Sequence, residues 1–278
     1  MIVQTAPRGS ANLVITMQQH TALAADFARH FGNADFEPVS PVELVLFVVQ
    51  NHDAGWQHWD RMALLDPATG LPYHLVQTPF EEILKTSSAS PDFNVEHHAF
   101  CGLLSSMHSW GLYNGRYGLS DKVLIDGLTG EKRALADSVL DAELARQAVL
   151  TEQLSSASET AGWVERSALF QNYKQLQFFD TLALYFNCAH TGERVETKFA
   201  HVPRDSVSDT EITLRPLGDD LYSLTPYPFD RSPFSLAFAG RYVQAGRVPA
   251  KDSDAEWFQS HTVTSQAITL VSEGPAPS

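Results

Sequence analysis

The sequence predicts a mainly helical fold that carries a small antiparallel β-sheet. Three observations lead there. Apolar residues recur at helical spacing through much of the stretch 17–189. The first fifteen residues are rich in β-branched side chains on either side of a turn cluster, Pro7-Arg8-Gly9-Ser10. After Gly192 the composition shifts to Thr, Ser, Val, Pro and Phe in short alternating runs.

Each element follows in order. The segments MIVQT and NLVIT form a hairpin. Residues 17–31 place Leu23, Phe27, Ala28 and Phe31 on one helical face, and Gly32-Asn33 ends that helix. Ser40-Pro41-Val42-Glu43 reads as a helix start, with a Ser cap, Pro at the first helical position and an acid in the first turn. That helix runs through Val49 towards His52. Residues 54–92 read as irregular because of Gly55, Asp66-Pro67, Gly70, Pro72, Pro79 and Pro91, with one short helix over 80–85. Helical patterns return at 94–113, 134–156 and 167–189. The strands 212–214, 221–224, 234–238 and 267–271 are expected to form the small sheet. A lone hairpin is unstable in water, so the N-terminal one is expected to join it. The tail GPAPS is expected to fray. The organisation predicted is a helical core over 16–192, with a β-rich subdomain from 1–15 plus 193–278 packed on it.

Charge and composition narrow the partners. The chain of 278 residues has 33 acids against 19 bases, a net charge of −14, and no basic run of five. Nucleic acid and anionic membrane surfaces are poor partners for such a surface. No uninterrupted run of eighteen apolar residues occurs, so no spanning helix is expected. The N-terminus lacks the long apolar segment of a secretory signal. The two cysteines, Cys101 and Cys188, form no CxxC and read as free thiols in a reducing compartment. A cytoplasmic protein acting on a small molecule is the expectation. The apolar helix faces could be satisfied internally or across a homo-oligomer.

The chemistry is carried by histidines and aspartates. Among 11 histidines, His20 sits early on the first helix and His52-Asp53 closes the second, in NHDAGW. Asp180 lies inside the apolar helical run LQFFDTLALYF. An acid there cannot stay charged and buried without a cation or a hydrogen-bonding cluster. Imidazole and carboxylate together suit a divalent first-row transition metal. The bland alternatives are a phase of the helix that exposes Asp180 and a solvated His-Asp pair at a helix end.

The order H…HD…D, on helices, resembles the ligand signature of the HD-domain superfamily. The chain is similar, more closely, to a bacterial family catalogued only as a domain of unknown function. That likeness rests on ITMQQHTALAADFARHFG, NHDAGWQHWD, TGLPY, LLSSMHSWGLYNGRYG, LQFFDTLALY, and PYPF followed by LAFAGRYV. The resemblance implies an HD-like helical bundle with β decoration. It implies a metal held by His20, His52, Asp53 and Asp180.

Binuclear members of that superfamily add two histidines between the doublet and the last Asp. The candidates are His108 and His98, with His97 and His74 behind them. On one straight helix, His97 and His108 would lie about 16 Å apart along the axis. Two metals about 4 Å apart could barely be reached by both, so either the helix breaks near Gly102 or one of them is not a ligand. A rival zinc site would use His97 and Cys101, four residues apart.

Trp56, Trp59 and Tyr113 lie near these motifs as candidate walls of a substrate pocket, and otherwise as packing. Arg116 and Arg61 are the nearest bases for an anionic group. Many HD hydrolases place a polar or basic residue soon after the doublet, where Gly55 and Trp56 stand here. The expectation is therefore an iron enzyme, binuclear if His98 and His108 contribute, that oxygenates a small organic substrate. The alternatives are a phosphohydrolase using manganese or zinc, and a non-catalytic metal or ligand sensor with Pro226, Pro228 and Pro233 at a partner-facing loop.

Overall fold

The computed structural model describes residues 1–218, 220–246 and 253–273. The tail expected to fray, 274–278, lies outside them. The order is β1 (Ile2–Val3), β2 (Asn12–Ile15), α1 (Met17–His30), α2 (Val42–Asn51), α3 (Gln57–Met62), α4 (Phe80–His97), α5 (Ala99–Tyr113) and a short turn α6 (Gly115–Gly118). Then come α7 (Gly130–Ser155), α8 (Arg166–Cys188), β3 (Thr197–Pro203), β4 (Asp209–Gly218), β5 (Leu221–Thr225), β6 (Phe234–Val243), α9 (Asp254–Ser260) and β7 (Val263–Ser272).

The expected class needs correction. The chain is 53% helical, but its sheet is not small: about 20% of the chain is strand, in a seven-stranded mixed sheet curled into a half-barrel. The strand order is β1-β2-β6-β7-β5-β4-β3. Every neighbouring pair is antiparallel except β5 with β7, which run parallel from Leu221 beside Thr269 to Leu224 beside Ser272. The hairpin does join the sheet, through Asn12 opposite Val243. The sheet is larger than expected because β4, β6 and β7 each extend over ten residues and because β3 was not foreseen. β3 carries an irregularity between Phe199 and Val202, which breaks the period-two alternation that marks a strand in sequence.

The helices form where the apolar spacing puts them. In α1, Leu23, Ala24, Phe27 and Ala28 are buried, and Thr16 caps the start by accepting from the Gln19 amide at 3.2 Å. The longer departure is α4. It runs straight through Pro91, where a break was expected. It packs against the turn Ala54–Trp56, where Ser90 Oγ accepts from the Gly55 amide at 3.0 Å, while its Leu84 joins a cluster with Tyr113 and Leu140. Gly55 makes that approach tolerable: a Cβ there would lie 2.3 Å from the Thr86 carbonyl oxygen. The chain breaks instead at His98, whose backbone is extended (φ −163°, ψ 144°), so 94–113 is not one helix.

One hydrophobic cluster spans both layers. It includes Phe27 of α1, Phe179 and Phe186 of α8, and Tyr222 and Leu270 of the sheet. α8 packs on α1, α5 and β3. Just after it, the buried Arg194 guanidinium donates to the Phe186 carbonyl at 2.9 Å and to the Tyr222 hydroxyl at 2.5 Å, tying the end of α8 to the sheet.

Candidate metal centre

Four elements deliver the site. α1 brings His20, the end of α2 brings His52-Asp53, α5 brings His108, and α8 brings Asp180. His20 and His52 have no exposed surface; His108 is 2% and Asp180 4% exposed. Such burial forbids a carboxylate without compensating charge or hydrogen bonds. The nearest atoms meet that demand. His20 Nε2 lies 3.1 Å from Asp180 Oδ1, and His52 Nε2 lies 3.7 Å from the same oxygen and 3.6 Å from Asp53 Oδ2. The His52 ring stands nearly perpendicular to the rings of His20 and His108, with centroids 5.6 and 4.9 Å away.

The hydrogen bonds on the far side of each ring set its tautomer. His52 Nδ1 donates to the Val49 carbonyl at 2.7 Å. In the neutral ring its Nε2 is then a bare lone pair, buried, with no hydrogen-bond partner. His20 Nδ1 donates to Asn187 Oδ1 at 2.9 Å, which turns its Nε2 lone pair towards the carboxylate. Two lone pairs and two carboxylates converging in a dry space repel one another unless a metal ion or a proton lies among them. For metal–ligand bonds of about 2.1 Å, neighbouring ligand atoms sit roughly 3.0 to 3.4 Å apart. The observed separations are close to that range. The donor set thus fits a divalent first-row ion, with each imidazole held by a partner on its other nitrogen.

Among the described residues, two groups could hold a metal ion: His20, His52 and Asp53, and His52, His108 and Asp180. They share His52. In the second group, Gln177 Nε2 lies 2.7 Å from His108 Nδ1, while Gln177 Oε1 is buried without a partner. Exchanging the two ends of that amide lets Oε1 accept from Nδ1–H and frees the lone pair on His108 Nε2.

Charge balance says the same. Burial opposes a proton on His52, but Asp53 and Asp180 outweigh it and raise its pKa to about 9. Burial opposes ionisation of Asp180 too, yet the adjacent His20 and His52 rings hold its carboxyl well below the usual range. Burial and the neighbouring His52 push His108 down to about 4. Without an ion, a proton on His52 is what offsets the carboxylates.

The other predicted residues fall as follows. Trp56 and Tyr113 line a cavity of about 490 Å³ that also reaches His20, Asp53, His108 and Asp180. Its remaining walls are mostly apolar, among them Phe80, Ile83 and Leu112. Arg116 does not line this cavity; it lines an adjoining groove that shares Leu184 with it. His98 is not brought to the cluster: its Nδ1 accepts from the Phe100 amide at 3.0 Å, capping α5. His97 stacks on Phe47 with centroids 3.6 Å apart, His74 accepts from the Val3 amide at 3.1 Å, and Cys101 donates to the Leu44 carbonyl. His97 and Cys101 lie on different helices and belong to neither group. Asp60, beside the doublet, caps α1 through the Met17 and Gln18 amides.

Sequence reasoning missed three residues. Asn187 and Gln177 orient two of the histidines, and Lys122 lines the cavity. Gln177 and Asn187 stand three residues before and seven after Asp180, on its own helical face, and that spacing could have found them.

The fold and the buried group define a mixed helix-and-sheet protein with a His/Asp cluster able to hold a metal ion. The chain matches, over residues 1–245, a family described as a protein of unknown function, DUF3891. It belongs to that family. No curated protein and no solved structure matches it.

Proposed function

We propose that this protein is a metal-dependent enzyme of the HD type, with iron held by His20, His52, Asp53 and Asp180, that oxygenates a small and largely apolar organic substrate. The observation that carries the reading is the orphaned His52 Nε2, buried among three other donors at one side of an apolar cavity. A second ion would take His108 and share the Asp180 carboxylate, since the single free nitrogen of His52 can ligate only one ion. When bound, the metal supplies an open position for dioxygen. The protein's own part is to hold the ligands: Val49 and Asn187 fix the tautomers of His52 and His20. Trp56, Phe80 and Tyr113 exclude water and orient the substrate.

Iron loading under argon, followed by air, tests the reading. The expected result is about two irons per chain and an optical signal that changes with oxygen. A single zinc or manganese, indifferent to oxygen, would replace it with the phosphohydrolase reading. That second reading has one observation in its favour: Lys122 lines the cavity and could take a phosphate.

A further inference from the structure

A groove of about 500 Å³ lies between α8 and β3 and meets the metal cavity at Leu184, which lines both. Four bases line it: Arg116, Lys174, Lys198 and His201. Two of them are neutralised locally, Lys174 by Asp209 at 2.6 Å and Lys198 by Glu211 at 2.7 Å. Among the described residues, no carboxylate lies within ion-pair distance of the half-buried Arg116.

The backbone is bent to put it there. Arg116 and Tyr117 are both left-handed, with φ 52° and 58°. Tyr117 is anchored by a 2.9 Å bond from its hydroxyl to Gln147 and by its ring against Trp110 and Tyr173. Gly115 before them is left-handed as well, and a Cβ there would meet the Ser120 carbonyl at 2.7 Å. Across the groove His201 is left-handed too, at φ 57°, where β3 loses register. Of five such non-glycine residues among those described, two line this one groove. Strained backbone persists where surroundings enforce it, and it gathers at ligand sites. A guanidinium fork suits an oxyanion with two or three oxygens on one centre. Phe178, Leu184 and Phe199 supply an apolar wall beside it. Gln177 lines the same groove and bonds His108.

We infer that this groove is a second binding site, distinct from the metal centre, for a small organic oxyanion whose carboxylate or phosphate pairs with Arg116 and whose apolar part lies on Phe178 and Phe199. The inference stands whether or not the metal is iron.

Calorimetric titration of the full-length protein, metal-loaded and chelated, tests it with phenyl phosphate, benzoate and benzyl alcohol. At least one anion should bind in both forms, at least tenfold tighter than the alcohol. The tighter anion identifies the headgroup. Arg116→Gly should weaken it tenfold or more without lowering the melting temperature, because glycine accepts the left-handed backbone. Arg116→Gln provides the same comparison if the glycine variant does not fold. No anion binding, binding unchanged in both variants, or binding lost on chelation would each overturn the site; the last would place the anion on the metal.

Discussion

His52 carries more of the site than any other residue, and its proton is the means of testing it. The two carboxylates beside it raise its pKa to about 9 in the ion-free protein. A cation must displace that proton, because a metal ligand binds deprotonated. Loading at pH 7 should therefore release about one proton per chain from His52. Affinity should fall about tenfold for each pH unit below 9. Titration in two buffers of different ionisation enthalpy reads the release directly, and heats independent of buffer would contradict it. Asn187 acts through His20 by accepting its Nδ1–H. Asn187→Leu should leave the fold intact and weaken metal binding roughly 10- to 100-fold; unchanged affinity would remove Asn187 from this role. Asp180 was legible in sequence because an acid inside LQFFDTLALYF needs a partner. His98 was not, because its position depends on where a long helical pattern breaks.

At the scale of elements, α1, α2 and α8 form where apolar periodicity predicts them. The departures have non-local causes. α4 continues through Pro91 because its face is buried against the Ala54–Trp56 turn, a contact no local window contains. Gly55 is the residue that permits it. Gly55→Ala would force a methyl to within 2.3 Å of the Thr86 carbonyl oxygen. The expected cost is about 1–3 kcal/mol, read as a lower denaturant midpoint. A midpoint at the parent value would show that α4 and the doublet are not packed as described. The break at His98 has a local device, its Nδ1 bond to the Phe100 amide. That bond settles why His97 and His108 do not share a helix. α9 escaped notice inside a strand-rich stretch, although Ser253 and Glu256 form a capping box at its start.

For the whole molecule, the helical half of the chain was readable and the sheet was not. Strand segments such as 212–214 and 221–224 show local alternation. Pairing does not: β5 beside β7 is a parallel contact between segments nearly fifty residues apart. Curling places α8 between the sheet and the other helices, so Asp180 is fixed from both sides. Metal binding should accordingly stabilise the whole fold. At a free metal concentration 100 times the dissociation constant, the gain is about 2.7 kcal/mol. That is a rise in melting temperature of roughly 5–10 °C, reversed by chelation. A melting temperature indifferent to chelator would mean that the ion, if bound, is peripheral. Among the described residues no helix is long and apolar enough to cross a membrane.

The most direct measurement is metal content, by elemental analysis, of the repleted protein beside its Asp180→Ala variant. The account predicts one or two equivalents of a first-row transition metal per chain in the parent. It predicts close to none in the variant, with helical circular dichroism retained. Full metal content in Asp180→Ala, or none in the repleted parent, would contradict it.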